Sequence, residues 1–162
     1  MKHQFTTALL CILVALPAAA DGIIRRQAGD FPIASSVEVP PGAALVFVSG
    51  QLADPVKPDA APNSTERYGD TATQVASVLG KIRAELEKAG LGLGDVVKMN
   101  VFLVGDPALG GSMDFAGLMR AYSAAFGTAT GGRLPARTTV QVAALPLPGA
   151  LVEIEVVAAR AP

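Results

Sequence analysis

Runs and stripes of apolar residues change spacing several times between Asp30 and Ala159, and each change marks a new element. Ile33–Val39 fits a short strand, stopped by the turn residues Pro40-Pro41-Gly42. Ala44–Ser49 is continuously apolar, which predicts a buried strand closed by Ser49-Gly50. Pro55, Pro58 and Pro62 then exclude regular structure between Asp54 and Asn63. Helical spacing follows, with Val75, Val78, Leu79, Ile82 and Leu86 on one face. This helix is expected to begin near Thr71, whose hydroxyl stands at capping-box spacing from Gln74, and to end at Gly90 in a left-handed conformation. Lys81 and Glu85, one helical turn apart, read as a surface pair.

Asp95–Val104 has the character of a long strand, and Gly105–Gly111 that of a loop. Ser112 is the expected cap of a second helix, whose stripe is Phe115, Leu118, Met119, Tyr122 and Phe126 and whose end is Gly127. A Gly/Thr-rich linker, Gly127–Leu134, leads to the last two segments. Pro135–Ala144 and Leu151–Ala159 flank Pro146, Pro148 and Gly149, which predicts an antiparallel hairpin. In its first strand Arg137, Thr139, Gln141 and Ala143 share one face. In its second, Glu153 and Glu155 lie opposite Val152, Ile154 and Val156. Carboxylates within an apolar strand are exposed, paired or functional, because burying one alone is costly.

The order strand, strand, helix, strand, helix, strand, strand defines an α+β domain with helices on one face of a sheet. The other face also carries apolar residues, and self-association is the simplest way to cover it. Upstream, Asp21–Gly29 is polar, with Arg25 and Arg26 adjacent, and reads as a solvated arm or first edge strand.

Composition narrows the chemistry. The 162 residues are 51% hydrophobic with a formal net charge of -1, enough for one domain with a sizeable core but no electrostatic footprint for nucleic acid. Lys2 and His3, the apolar run Ala8–Leu16 and the small residues Ala18, Ala19 and Ala20 have the layout of a secretory signal. The alternatives are a buried N-terminal helix or an uncleaved anchor, for which the run is short. Residues 1–20 are thus expected to be removed, leaving 21–162 as a single exported domain, periplasmic and without stable membrane insertion. Cleavage would remove Cys11 and His3, the sole cysteine and histidine. A cysteine nucleophile, a histidine base and a His/Cys metal site are then excluded, and no metal or cofactor is expected.

The Pro-Ala-Arg segment at Pro135–Arg137, with Val-Glu-Ile-Glu at Val152–Glu155 beyond a Leu-Pro turn, resembles the signature of the Rid family, the YjgF-type reactive intermediate deaminases. Leu45–Gln51 (LVFVSGQ) and Asp95–Leu103 (DVVKMNVFL) resemble that family's other two signatures, and the similarity covers roughly Asp30 to Arg160. The resemblance implies a chorismate-mutase-like fold assembled as a homotrimer with ligand clefts between subunits. It implies that Arg137 holds the carboxylate of a 2-imino or 2-enamino acid, in keeping with the planar fork of a guanidinium. From the residues alone, an ion pair from Arg137 to Glu153 or Glu155 across the hairpin is the competing role.

By the same resemblance, Glu153 orients the hydrolytic water, Ser49 and Gly50 donate to the ligand from a neighbouring subunit, and Glu155 is peripheral. Thr139 stands where many members have Cys, at a position whose backbone carbonyl contacts the substrate. Ile33 and Met119 replace a Tyr and an Asn, making the pocket more apolar. The implied reaction is hydrolytic deamination of 2-imino acids to 2-oxo acids and ammonia. A trimeric carboxylate-binding protein without turnover is the alternative, and an endoribonuclease a third.

Overall fold

The computed structural model describes residues 22–27 and 29–162. The expected signal, its cleavage point, His3 and Cys11 lie outside the described residues. Strands β1 (Ile24–Arg26) and β2 (Ser36–Glu38) form a small antiparallel ribbon. The main sheet contains β3 (Ala44–Leu52), β4 (Val96–Val104), β5 (Ala136–Val142) and β6 (Val152–Arg160), in the order β3-β6-β4-β5. Helices α1 (Thr65–Tyr68), α2 (Thr71–Lys88) and α3 (Phe115–Ala125) complete the domain.

This topology corrects the expected hairpin. β5 and β6 do not pair with each other, because β4 lies between them, parallel to β5 and antiparallel to β6. The connection from β4 to β5 carries α3, and a crossover through a helix brings a strand back parallel to its predecessor. The segment with Pro146 and Pro148 then spans the end of β4 instead of folding into a tight turn, and Val104 N donates to Leu151 O there at 2.9 Å. β3, α2 and β4 repeat the arrangement with β6 inserted between the strands, so the sheet is mixed.

Helix α2 buries Val75, Val78, Leu79, Ile82 and Leu86 as its spacing predicts. They pack with Leu118 and Tyr122 of α3 and with Met99, Val101, Ile154 and Val156 of the sheet in one core cluster. Burying each large aliphatic side chain stabilises the fold by about 1.5–3 kcal/mol. Gly90 follows the helix at φ 69°, the conformation expected of it.

Both expected caps move. Asp70, not Thr71, caps α2 by accepting from Thr73 N at 2.8 Å, and Asp114, not Ser112, caps α3 by accepting from Gly117 N at 2.7 Å. An aspartate competes well for this position because its carboxylate also faces the positive end of the helix dipole. Gln74 is thereby free for the core, where its Oε1 accepts from Leu151 N at 2.8 Å and its Nε2 donates to Gly69 O at 2.9 Å. Lys81 pairs with Asp54 and Glu85 with Lys88, so the expected Lys81–Glu85 pair does not form.

β3 is an edge strand, not a buried one. Only Val48 within it is buried, while Phe47 is 73% and Leu45 48% exposed. The strand also continues to Leu52, with a bulge between Val48 and Gln51 that contains Ser49 and Gly50. Ile24–Arg26 forms the first edge strand, one of the two expected readings, but Arg25 within it is not solvated: its Nη1 donates to Val96 O at 2.7 Å and Leu134 O at 2.8 Å.

Candidate active site

Arg137 enters the site from the second residue of β5, opposite Met99 of β4, which is itself opposite Val156 of β6. Partners across a ladder share a face, so Arg137 projects to the side covered by the helices. Its guanidinium carbon lies 4.3 Å from the ring centre of Tyr122, 5.7 Å from that of Phe31 and 5.9 Å from that of Phe115. Nη2 donates to Met119 Sδ at 3.3 Å, and Nη1 is buried without a hydrogen-bond partner. The Phe31 and Phe115 rings stack with centres 6.3 Å apart.

The anticipated ion pair to Glu153 or Glu155 is absent, because both carboxylates sit on the other face of the sheet and β4 intervenes. Burial lowers the pKa of Arg137 from the ordinary guanidinium value, and the Tyr122 phenol opposes that shift. A cation held among rings, with an unsatisfied donor and no ion pair among the described residues, is poised for an external anion. Two more buried polar atoms in this region also lack partners, the Tyr122 and Thr139 hydroxyls. Burial pushes the Tyr122 phenol up to about 12.

Thr139 projects beside Arg137 on the same face, opposite Val101. Met119 reaches the guanidinium from α3. Ile33 packs against the core, whereas Phe31, two residues earlier, is the member of that segment that meets Arg137. Phe31, Phe115 and Tyr122 were not anticipated as site residues. The helical spacing held a signal for two of them, since Phe115 and Tyr122 lie one turn either side of Met119.

Glu153 lies on the opposite face, aligned with Phe102 of β4 and Leu52 of β3. It makes no ion pair among the described residues. Gly50 is immediately beside it, and a Cβ added there would overlap the Glu153 carboxylate. Ser49 lines a neighbouring cavity of about 310 Å³ on this face with Lys98, Asn100, Glu155 and Phe47. Asn100 Nδ2 donates to Glu155 Oε1 at 2.8 Å, and Lys98 Nζ donates to Thr138 Oγ1 at 2.8 Å. The site residues therefore form two groups on opposite faces: Arg137, Thr139 and Met119 under the helices, and Glu153, Ser49 and Gly50 on the uncovered side.

The family described as endoribonuclease L-PSP matches residues 27–160. The chain is 36% identical over 116 residues to the 2-iminobutanoate/2-iminopropanoate deaminase of Escherichia coli, covering 72% of this chain and 80% of that one. Its fold is similar to the crystal structure of the YjgF gene product of Escherichia coli, with TM-score 0.55 and 33% identity, covering 88% of this chain and 96% of that one. It is also similar to Escherichia coli TdcF with bound serine, with TM-score 0.56 and 31% identity over 88% of this chain and 96% of the other. The chain belongs to the endoribonuclease L-PSP family, also called YjgF or Rid, and has its α+β fold.

Proposed function

We propose that the protein hydrolyses 2-imino acids, or their enamine tautomers, to 2-oxo acids and ammonia. The observation that carries this is the Arg137 guanidinium, which is half-buried and, among the described residues, has Nη1 unpartnered and makes no ion pair with a carboxylate. The relative named as an imine deaminase supports the reaction class, and the solved relative holding serine supports an amino-acid-like ligand.

Arg137 grips the substrate carboxylate and Glu153 orients water toward the imine carbon. A protonated imine is already electrophilic, so a carboxylate that positions water and accepts one proton suffices. The C–O bond forms as the C=N π pair moves to nitrogen. After proton transfer the C–N bond breaks, the carbonyl forms and ammonia leaves.

Because Arg137 and Glu153 face opposite sides of one sheet, a shared substrate requires the glutamate of a neighbouring copy. We infer an assembly with clefts between subunits, and the family resemblance makes that assembly a homotrimer. The uncovered face, with Phe47 73%, Leu45 48% and Val140 41% exposed, has the apolar character that such an assembly buries. The N-terminal pattern favours action after export, with the mature chain starting near Asp21. The mass of the purified mature protein tests that directly.

Ile33 and Met119 favour a second reading, a carboxylate-binding protein without turnover, since Met119 meets the guanidinium with a thioether and supplies no donor of its own for the reaction. Ribonuclease activity is the least favoured reading, because the formal charge of -1 gives no extended basic surface to track a nucleic-acid backbone. Ammonia release from freshly generated 2-imino acids, compared with the spontaneous rate and with Arg137→Ala, tests the hydrolysis. Acceleration by the wild type alone supports it. Tight binding of 2-oxo acids with no acceleration supports the binding protein instead.

A further inference from the structure

A second cavity, of about 460 Å³, opens where β4 begins and β6 ends, and its walls include Arg25, Arg133, Arg160, Asp95, Gly94 and Leu91. None of these residues belongs to the group around Arg137 or the group around Glu153. Three guanidiniums here face one carboxylate, and that carboxylate is already engaged, since Asp95 Oδ2 accepts from Gly92 N at 2.8 Å.

Two of the three cations are held in place. Arg25 is fixed by carbonyls, with Nη2 donating to Gly94 O at 3.0 Å in addition to its two Nη1 bonds. Arg133 lies against the same glycine, close enough that a Cβ on Gly94 would come within 2.6 Å of Arg133 Nη2. Its Nε donates to Thr130 O at 3.2 Å, and its Nη1 is 3.5 Å from Asp95 Oδ1, a long contact for an ion pair. Two positive groups thus converge on one residue. Burial holds Arg25 below the usual guanidinium range, and repulsion from Arg133 lowers it further. Arg160 lines the same cavity and makes no ion pair among the described residues.

We propose that this cavity binds a phosphate monoester of a small metabolite. A dianion matches the excess of two positive charges, and guanidinium forks match phosphate oxygens in parallel hydrogen bonds. Nη2 of Arg133 and the guanidinium of Arg160 contact the phosphate, while Arg25, held by its three carbonyls, supplies charge from the wall. The cavity exceeds the volume of a phosphate group, and Leu91 and Ala159 offer an apolar wall for the organic part.

Calorimetric titration of the full chain with inorganic phosphate, glycerol 3-phosphate and glycerol tests this, and none of its readouts depends on deaminase activity. Saturable binding of both phosphates, tighter for the ester and absent for glycerol, is expected. Arg133→Gln and Arg160→Gln should each weaken it by roughly ten- to a hundredfold. Circular dichroism of both variants should match the wild type, because neither side chain is in the core. No saturable phosphate binding by the wild type overturns the proposal, as does binding unchanged in the folded double variant.

Discussion

The ring centre of Tyr122 lies 4.3 Å from the guanidinium carbon of Arg137, yet the phenol hydroxyl and Nη1 of the arginine are both buried without a hydrogen-bond partner among the described residues. The tyrosine supports the cation through its π face and leaves its polar end unsatisfied. Tyr122→Phe keeps the ring and removes a costly orphan, so it should leave stability unchanged or raise it by about 1 kcal/mol in urea unfolding.

The same hydroxyl sets an alkaline limit. Its pKa is raised from 10.0 in the reference state to about 12 in the fold, chiefly by burial. The phenol ionises near 10 in the unfolded chain but only near 12 in the fold, so the unfolded state is increasingly favoured as pH climbs from about 10 through about 12. The wild type should therefore lose stability over this window relative to Tyr122→Phe, measured as the difference between their urea midpoints. Parallel curves for the two proteins would contradict it.

For Arg137, removal of a charge-assisted contact of about 1.5–3 kcal/mol should weaken binding of a stable 2-oxo acid by about one to two decades in Arg137→Ala. Arg137→Lys should not restore it, because an ammonium cannot form the two parallel bonds or stack among Phe31, Phe115 and Tyr122 in the same way. Calorimetry of the three proteins side by side gives the answer.

Gly50 and Glu153 are coupled by contact, not by backbone strain. Gly50→Ala places a methyl group where the carboxylate lies, so Glu153 must swing away. Hydrolysis should fall in Gly50→Ala nearly as far as in Glu153→Gln, while 2-oxo acid binding, carried by Arg137, falls much less. Equal losses of binding and turnover in Gly50→Ala would indicate general damage to the bulge instead.

Phe47, 73% exposed on the uncovered face, reports on assembly. Phe47→Glu puts a charge into the proposed interface and should shift the native mass from trimer to monomer. A native mass unaffected by the change would place the interface elsewhere.

The sequence was most informative where spacing alone decides the outcome. The α2 stripe from Val75 to Leu86 is buried as its period demands, and Gly90 ends the helix in the left-handed region. Arg137 and Thr139 share a face for the same reason of period. Partnership between strands was not legible, because alternation along Ala136–Val142 and Val152–Arg160 says nothing about which strand lies between them. The insertion of β4 separates Arg137 from both glutamates, which removes the internal ion pair and is the reason the proposed site is divided between copies. The apolar run of β3 was misleading for a related reason: Phe47 and Leu45 are hydrophobic because of a surface left uncovered in the single chain. Local competition for caps, won by Asp70 and Asp114, depended on side-chain geometry that hydroxyl spacing could not rank.

Mixing two inactive variants tests the shared cleft most directly. Arg137→Ala and Glu153→Gln, unfolded together and refolded at equal concentration, should yield mixed trimers in which some clefts receive an intact arginine from one copy and an intact glutamate from the next. Random assembly leaves about a quarter of the clefts complete, so about a quarter of wild-type ammonia release should return. If the mixed trimers form, as native mass would show, and no activity above either parent is recovered, the two residues do not act across a subunit boundary.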